Sequence, residues 1–325
     1  MAVLVTGGAG YIGSHMVLAL LDAGEKVVVV DDLSTGDRDA VPQSAKLVVG
    51  DVGDEALVEK ILREHAVEAV THFAAKVVVP DSVADPLGYY HANTAKTRVL
   101  LAAVVHAGVK RFVFSSTAAV YGNPDTNPVD EDARLKPESP YGTSKLMSEW
   151  ILRDAATAHG LSAVVLRYFN VAGADPAGRA GQSTPNATHL IKVACEAAVG
   201  KREGMQIFGT DYATPDGTCV RDYIHVSDLV DAHIAALRHL RKGGENLTLN
   251  CGYGRGYSVR EVVDVVKRVS GVDFPVTLAP RRPGDAEAIV ARADRIRAKL
   301  GWRPKLDDLP TIVTHALAWE RKLAR

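Results

Sequence analysis

Residues 2–13 read Ala2-Val-Leu-Val-Thr6 followed at once by Gly7-Gly-Ala-Gly-Tyr-Ile-Gly13. The apolar run predicts a buried strand. The glycines fit G-x-G-x-x-G from Gly8 and also G-x-x-G-x-x-G from Gly7, and such glycines allow a tight turn and close approach of the backbone to a pyrophosphate. A helix predicted from Tyr11 to Ala23 presents its N-terminal N–H groups to the same phosphates. The stretch therefore predicts a strand, a phosphate-binding turn and a helix in succession.

The next strand ends in two acidic residues that bear on the identity of the dinucleotide. Lys26–Val30 reads as a strand, and Asp31-Asp32 follows it directly. A carboxylate about 20 residues after the glycines hydrogen-bonds a ribose 2′-hydroxyl and repels a 2′-phosphate. The sequence therefore predicts NAD as the cofactor.

Strands and helices continue to alternate through the first half of the chain. Further strands are predicted at Lys46–Val49, Ala69–Phe73, Arg111–Ser115 and Ser162–Arg167, and helices at Glu55–His65, Pro86–His106 and Tyr141–His159. This spacing is typical of βαβ units, so we expect an α/β fold with a Rossmann-type, doubly wound parallel sheet. Ligands bind beyond the carboxyl ends of such strands, where Asp51, Phe73–Ala75 and Ser115–Thr117 also fall.

The alternation stops near residue 170. Gly173–Asn186 is rich in Gly and Pro, and the sequence beyond it mixes short helical and strand patterns. We therefore predict an NAD-binding domain over residues 1–170, with a possible return around 220–238. A smaller mixed C-terminal domain over 171–325 is predicted to bind the substrate.

A tyrosine and a lysine lie four residues apart in Tyr141-Gly-Thr-Ser-Lys145. Pro140 suits a first helical position and Gly160 a helix end, so the two side chains share one helical face. A free tyrosine has a pKa of about 10, and a nearby ammonium with an oxidised nicotinamide acts to lower that pKa toward the value of about 7 that a general base needs. Taken alone, the pattern also fits a pair on an ordinary surface helix. With the dinucleotide signals upstream, it predicts Tyr141 as a catalytic base.

Composition excludes several classes of function. The chain has 38 basic and 39 acidic residues, so neither nucleic acid nor an anionic membrane is predicted as a partner. Its three cysteines are widely spaced and suit a reducing compartment, and strand-like sequence from Ala2 onward leaves no room for a signal peptide. We expect a cytoplasmic protein without a membrane span. The eleven histidines show no metal-ligand spacing, so no metal centre is predicted, and His225 and His233 are interpreted as structural.

Arg221 and Arg282 are candidates to clamp a diphosphate. A guanidinium binds phosphate oxygens bidentately, although each arginine alone also fits an ordinary ion pair.

Motifs along nearly the whole chain resemble those of the extended short-chain dehydrogenase/reductases. The general marks are Gly7–Gly13, Asp51-Val52, Phe73-Ala-Ala75, Ser115-Ser-Thr117 and Tyr141–Lys145. The more specific marks are Val120-Tyr-Gly122, Arg167–Gly173, Phe208–Tyr212, Asp216–Val226, Arg281–Asp285 and Leu300-Gly-Trp302. The specific marks resemble the UDP-sugar 4-epimerases within that family.

This resemblance implies an enzyme that keeps NAD bound and interconverts UDP-glucose and UDP-galactose through a 4-keto-sugar intermediate. It implies that Tyr141 is the base, that Lys145 holds the nicotinamide ribose and that Thr117 bonds the sugar O4. The implied cofactor-binding residues are Gly7, Gly10, Tyr11, Ile12, Gly13, Asp31, Asp32, Asp51, Val52, Phe73, Ala74, Ala75, Asn93, Ser115, Tyr141, Lys145 and Tyr168. The implied substrate-binding residues are Thr117, Tyr141, Asn170, His189, Leu190, Gln206, Ile207, Phe208, Arg221, Arg282, Asp285 and Ile289. Helices matching 86–106 and 141–159 are implied to form a homodimer interface.

Three lysines depart from the family pattern and leave the sugar open. Lys76 is one place from the usual lysine, Lys96 replaces a glycine, and Lys192 replaces a proline. Lys76 and Lys192 lie in stretches expected near the substrate, where a cation suits the carboxylate of a uronic acid. Ile289, at the position implied to line the pocket around the sugar C2 substituent, is intermediate in size. UDP-N-acetylglucosamine, UDP-glucuronate and UDP-xylose therefore remain alternative substrates.

Two alternative functions share the predicted fold. Nucleotide-sugar 4,6-dehydratases need an Asp-Glu pair directly after the threonine, and this chain has Ala118-Ala119 there. Non-enzymatic dinucleotide sensors generally lose the tyrosine or the lysine, and both are present here. Each alternative is therefore less well supported than the epimerase.

Overall fold

The computed structural model describes residues 1–185, 187–282 and 284–324 of the chain. Its strands are β1 (Ala2–Thr6), β2 (Lys26–Asp31), β3 (Lys46–Val49), β4 (Val67–His72), β5 (Arg111–Thr117), β6 (Ser162–Tyr168), β7 (Asn170–Ala172), β8 (Met205–Phe208), β9 (Val220–His225), β10 (Leu247–Cys251), β11 (Gly256–Ser258), β12 (Val276–Ala279) and β13 (Ala288–Ile289). Its helices are α1 (Tyr11–Asp22), α2 (Glu55–Glu64), α3 (Val79–Ala84), α4 (Pro86–Tyr89), α5 (Lys96–His106), α6 (Pro140–His159), α7 (Leu190–Ala198), α8 (Val226–Arg241), α9 (Val259–Ser270), α10 (Asp294–Leu300) and α11 (Leu309–Leu323).

A parallel sheet with the strand order β10-β6-β5-β4-β1-β2-β3 forms the centre of the fold. Strand β2 shows why both faces are covered by helices. Its Val27 and Val29 pack in one core with α1 and α8, and its Val28 and Val30 pack in a second core with α2, α5 and α6. A continuous apolar strand of this kind is typical of a parallel sheet buried on both sides. The predicted Rossmann-type α/β fold is confirmed.

Helix α6 begins and ends where the sequence predicts. The Ser139 hydroxyl accepts a hydrogen bond from the Gly142 N–H at 3.2 Å, and Pro140 occupies the first turn, where its missing N–H costs nothing. Gly160 ends the helix in the left-handed conformation with φ +65°. Tyr141 and Lys145 therefore lie in the first two turns of a well-defined helix.

The predicted helix over 86–106 is interrupted. Helices α4 and α5 are joined by a π-helical segment, Tyr90–Ala95, whose extra residue changes the direction of the side chains. Within it, the Asn93 side chain accepts from the Lys76 N–H at 2.8 Å and donates to the Lys76 carbonyl at 2.9 Å. Asn93 thus holds the backbone at Lys76, shortly before α3. The sequence analysis did not predict this short helix.

Beyond residue 170 the chain builds a smaller layer and also returns to the large sheet. Strand β9 pairs with β7, β11 and β13, β8 pairs with β12, and α7, α9 and α11 share a separate apolar core. By contrast, α8 packs on the large sheet and β10 pairs with β6 at its edge. In the 220–238 stretch, the strand residues therefore join the smaller layer and the helix joins the larger one. The division into two domains at residue 170 stays a prediction.

Within the described ranges, no helix is long and apolar enough to cross a membrane.

Candidate active site

A cleft of about 1460 Å³ runs across the carboxyl ends of the large sheet. It is lined by residues at or just beyond the carboxyl ends of six neighbouring strands, namely Gly7, Asp31, Asp51, Phe73, Thr117 and Tyr168, and also by residues of the smaller layer. A pocket for one drug-sized ligand is typically about 300–1,000 Å³. The cleft is therefore large enough for a dinucleotide and a second ligand.

Most of the predicted site residues line this cleft. On the cofactor side these are Gly7, Gly10, Tyr11, Ile12, Gly13, Asp31, Asp32, Asp51, Val52, Phe73, Ala74, Ala75, Tyr141 and Tyr168. On the substrate side they are Thr117, Asn170, His189, Leu190, Gln206, Phe208, Arg221, Arg282, Asp285 and Ile289. The lining lacks four of the predicted residues, namely Asn93, Ser115, Lys145 and Ile207. Asn93 contacts Lys76 and Ser115 lies close to Tyr168, both of which line the cleft, and Lys145 contacts Phe114 beside it.

The glycine turn requires glycine for steric reasons. Gly7 has φ +68°, and a Cβ on it would stand 2.6 Å from the Ala74 nitrogen. A Cβ on Gly13 would collide with the Gly7 carbonyl oxygen. The turn is therefore folded tightly on itself and against the end of β4, which leaves the N-terminus of α1 open to a phosphate. These residues fit the dinucleotide that the sequence predicts.

Asp31 joins the glycine turn to the end of β2. Its carboxylate accepts hydrogen bonds from the Ala9 N–H and the Leu33 N–H, each at 2.9 Å. The side chain is fixed in place at the edge of the cleft, and burial raises the pKa of the carboxyl. Asp32 instead accepts from the Ser34 N–H and hydroxyl, which shapes the loop that follows.

Tyr141 and Thr117 form the chemical centre of the cleft. Tyr141 and Thr117, the last residue of β5, both line the cleft, and Thr117 lies close enough to act on the pKa of Tyr141. The Thr117 hydroxyl accepts from the Ala119 N–H at 3.1 Å. Burial raises the pKa of Tyr141 and Thr117 acts to lower it, with burial the larger effect. The sequence predicted that Lys145 lowers the pKa of Tyr141, but in the protein without a cofactor the pKa of Tyr141 is raised. The positive charge of an oxidised nicotinamide would act in the required direction.

Lys145 is a buried cation one turn along α6. It is 3% exposed, and its ammonium lies 4.7 Å from the centre of the Phe114 ring. Burial lowers the pKa of Lys145 to about 8, and Glu149 on the next turn acts against that shift. Lys145 therefore loses its charge more easily than a surface lysine does.

Glu149 also fixes helix α6 to the sheet. Its carboxylate accepts from the Ser116 hydroxyl and from the Arg167 guanidinium, at 3.0 Å from Nε and 2.6 Å from Nη2. Ser116 precedes Thr117, so the same carboxylate orders both halves of the Tyr141–Thr117 pair. The sequence motifs include Ser116 and Arg167 but gave no signal for Glu149.

Ser115 and Tyr168 belong to a chain of polar groups beside the cleft. Ser115 lies close enough to Tyr168 to act on its pKa, and its hydroxyl lies 3.0 Å from Nε2 of His233, whose Nδ1 lies 2.9 Å from the Leu229 carbonyl oxygen. A carbonyl only accepts, so Nδ1 carries the proton and Nε2 accepts from Ser115. His233 is thus a structural histidine, as the sequence analysis interprets it, and it supports Tyr168 through Ser115.

The arginines predicted to hold a diphosphate both line the cleft, Arg221 from β9 and Arg282 from the segment after β12. The Arg282 Nε donates to Asp285 at 3.0 Å, and its guanidinium lies 4.6 Å from the centre of the Phe208 ring. Arg221 Nη1 donates to the Val220 carbonyl at 2.9 Å. Arg221 also pairs in register with Ile289 across β9 and β13. Both guanidinium groups are therefore oriented by the protein and keep further N–H groups for a ligand.

Lys192 does not reach the cleft. It is buried in α7 and forms ion pairs with Glu320 and, at 3.3 Å, with Glu196. The expectation that it approaches the substrate is wrong, because two carboxylates already neutralise it. Lys76 does line the cleft, and its side chain is 54% exposed with Asp85 at 3.8 Å.

Several cleft residues escaped the sequence analysis. Ser34, Thr35 and Gly36 follow Asp32 and line the cofactor side, and Lys96 lines the end near Asp51. The turn signal Ser-Thr-Gly after two acidic residues was available in the sequence.

On the surface, three potential metal ligands lie within 4.8 Å of one another, namely Glu55, Glu59 and His106. The sequence does not reveal this spacing, because His106 comes from α5 and the two acids come from α2.

Comparisons with known proteins agree with this geometry. The sequence pattern of the NAD dependent epimerase/dehydratase family matches residues 3–252. A UDP-glucose 4-epimerase of Azospirillum brasilense is 62% identical over 321 residues, which cover 99% of this chain and 92% of that protein. The crystal structure of UDP-glucose 4-epimerase from Bifidobacterium longum in complex with NAD+ and UDP has a TM-score of 0.94 and 39% identity, and the match covers 99% of this chain and 98% of that one. The UDP-Glc/GlcNAc 4-epimerase from Campylobacter jejuni has a TM-score of 0.86 and 46% identity, with 99% of each chain covered. The chain belongs to the NAD dependent epimerase/dehydratase family.

Proposed function

We propose that this protein is an NAD-dependent 4-epimerase that interconverts UDP-glucose and UDP-galactose. The observation that carries the proposal is that Tyr141 and Thr117 line the same cleft as the glycine turn, Arg221 and Arg282. The 62% identity to a UDP-glucose 4-epimerase supports the same reaction.

NAD held by the glycine turn and Asp31 would supply the hydride acceptor and donor for oxidation and reduction at the sugar C4. Tyr141 takes the proton from the sugar O4 hydroxyl as C4 is oxidised and gives it back as C4 is reduced. Thr117 holds the same oxygen by a hydrogen bond and keeps it aligned with the Tyr141 hydroxyl. Lys145 binds the ribose next to the nicotinamide, and the positive charge of the oxidised nicotinamide favours the phenolate.

The diphosphate of the substrate is bound by cations and by a helix end. Arg221 and Arg282 donate to its oxygens, and the N-terminus of α7, where His189 and Leu190 line the cleft, offers backbone N–H groups. Held at this end alone, the 4-keto sugar is free to rotate and present its other face. Tethering by the UDP portion thus permits inversion at C4 without release of the intermediate.

The proposed preference is for UDP-glucose and UDP-galactose, with UDP-N-acetylglucosamine a poorer substrate. Ile289 is 6% exposed and lines the cleft, and its branched side chain limits the room for a bulky C2 substituent. A misfit of about one methylene changes discrimination roughly 10–200-fold. Lys192 gives no support to a uronic acid, since it is paired with Glu320. Competition of UDP-glucose, UDP-N-acetylglucosamine and UDP-glucuronate in one assay tests this preference, and a higher kcat/KM for the glucuronate would contradict it.

The proposal includes a homodimer in a reducing cytoplasm. Met147 and Trp150 lie one turn apart on α6 and are 36% and 45% exposed, which suits a helical interface between two copies of the chain. Sedimentation of the protein and of a Trp150→Glu variant tests the assembly, and a monomeric parent protein would contradict it. Cys195, Cys219 and Cys251 are free and buried, in keeping with a reducing compartment.

The direct test of the activity uses the purified protein and UDP-galactose without an added oxidant or reductant. We expect UDP-glucose to accumulate to equilibrium, because each turnover returns the hydride that it removes. Formation of a 4-keto-6-deoxy product would instead indicate a dehydratase. Absence of any product after NAD is supplied would exclude both.

A further inference from the structure

Lys96 crosses one end of the cleft. It is the first residue of α5, and its ammonium bonds Oδ2 of Asp51, beyond the end of β3, at 2.5 Å. Its side-chain carbons cover Gly53, where a Cβ would stand 2.9 Å from Lys96 Cγ. The ion pair thus connects two elements that lie far apart in the sequence, and Lys96 and Asp51 both line the cleft.

The order of the strands identifies which part of NAD lies beside this pair. The glycine turn after β1 receives the pyrophosphate, and Asp31 at the end of β2 receives the adenosine ribose. Strand β3 lies on the far side of β2 from β1. The adenine is the next group along from that ribose, so it lies at the end of β3, where Asp51, Val52 and Ala92 line the cleft.

The Asp51 carboxylate has capacity for both the lysine and the adenine. One oxygen accepts from the Gly53 N–H at 2.7 Å and the other accepts from Lys96. A carboxylate offers about four lone-pair sites, so two sites remain for the adenine amino group. Burial acts to raise the pKa of Asp51, yet the hydrogen bonds from Lys96 and Gly53 hold it below the usual value, so the group stays an anion.

We propose that the Lys96–Asp51 ion pair is a clasp across the adenine end of the cleft that slows the release of the dinucleotide. This inference rests on the proposed use of NAD. In this proposal the ion pair joins Asp51 to the start of α5 beside the adenine, so the adenine leaves more slowly while the pair is closed. The side chains of Lys96 and Asp51 are 21% and 43% exposed.

The test measures release of NADH from the loaded protein. Bound NADH is chased with excess NAD+, and its fluorescence is followed in the parent protein and in Lys96→Met, which keeps the apolar stem and removes the charge. We expect release to be about fivefold faster in Lys96→Met, the size associated with one partly exposed ion pair. Salt should speed release from the parent protein and have little effect on the variant, because only the parent holds a screened ion pair.

Lys60→Met is the matched control, since Lys60 forms an exposed pair with Glu64 on α2 and does not line the cleft. Its release rate should equal that of the parent protein. Asp51→Asn supplies a second comparison, because the effect of Lys96→Met should disappear when the carboxylate is gone.

Unchanged release in Lys96→Met would overturn the clasp, and slower release would show that Lys96 competes with the adenine for Asp51. Either result leaves the epimerase proposal intact, because epimerisation is assayed separately. Failure of the parent protein to bind NADH would overturn both.

Discussion

At the scale of single residues, Tyr141 has a chemical role that its neighbours cannot supply. Its side chain is buried, and burial raises the pKa of its hydroxyl above the usual value, while Thr117 acts to lower it. Tyr141→Phe removes the proton acceptor and little volume, so we predict a loss of about 10²–10⁴ in kcat with NAD affinity retained. Thr117→Ala removes only the proposed hydrogen bond to the sugar O4, so its loss of kcat should be smaller than that of Tyr141→Phe. Turnover assays with NADH binding in parallel check this, and near-normal kcat in Tyr141→Phe would remove it from the mechanism.

Asp31 belongs to the same scale, since its carboxylate is fixed by two backbone N–H groups at the cleft edge. We predict that the protein binds NAD far more tightly than NADP, because the anion repels a 2′-phosphate. Asp31→Asn should bring the affinities for NAD and NADP closer together, because it removes the negative charge that repels the 2′-phosphate. Calorimetric titration of both dinucleotides measures the ratio. Equal affinities in the parent protein would show that Asp31 does not read the ribose.

Sequence reasoning identified residues whose chemistry is local and missed those that act through packing. Gly7, Asp31 and Tyr141 are recognisable because a turn, a charge and a helical spacing each have a sequence pattern, and all three line the cleft. Lys192 appeared available for a substrate because its partner Glu320 is 128 residues away in the chain. No local pattern reveals such a pair.

At the scale of elements, the catalytic helix α6 is attached to the sheet through Glu149. The carboxylate is buried and bonds Arg167 on β6 and Ser116 on β5. Glu149→Gln leaves the Arg167 charge buried without its partner, so we predict a loss of about 3–5 kcal/mol in the free energy of unfolding. Lys145 also loses the neighbour that supports its charge, so the alkaline limb of the pH–rate profile should move to lower pH.

Denaturant unfolding and a pH–rate profile separate these two effects. Arg153→Gln is a suitable control, because its ion pair with Asp154 on the same helix is exposed and should contribute almost nothing. A loss below about 1 kcal/mol in Glu149→Gln would show that the attachment is not made by this pair.

Element boundaries were predictable wherever the signal was local. Pro140 and Gly160 delimit α6 in sequence as they do in the structure, where Ser139 also caps the helix. The π-helical segment Tyr90–Ala95 was not predictable, because it depends on Asn93 reaching the Lys76 backbone. The return of β10 to the edge of the sheet was missed for the same reason, since its partner β6 is about 80 residues upstream.

At the scale of the whole molecule, buried histidines make stability depend on pH. Burial lowers the pKa of His72 and His225 to about 3 and that of His233 to about 4. Between pH 6.5 and about 4 the unfolded chain therefore binds protons that the folded protein does not. The free energy of unfolding should fall as the pH falls through this window, by roughly 1–2 kcal/mol per histidine at pH 5.

Asp222 has the opposite effect on stability, because burial raises its pKa to about 6 and the folded protein therefore binds a proton before the unfolded chain does. At pH 5 this adds only about 1 kcal/mol to the free energy of unfolding. Denaturant unfolding at pH 7 and pH 5 measures the net change, and His233→Gln should reduce it. Equal or greater stability at pH 5 would contradict the assignment of these histidines as neutral in the fold.

The central claim is that one cleft holds NAD and a UDP-sugar so that C4 loses a hydride and regains it on the other face. The most direct measurement follows UDP-galactose deuterated at C4 through conversion to UDP-glucose in ordinary water. We expect a product that keeps the deuterium at C4, since the hydride never leaves the cleft and only the O4 proton exchanges through Tyr141. A product with ordinary hydrogen at C4, or no conversion by the NAD-loaded protein, would contradict it.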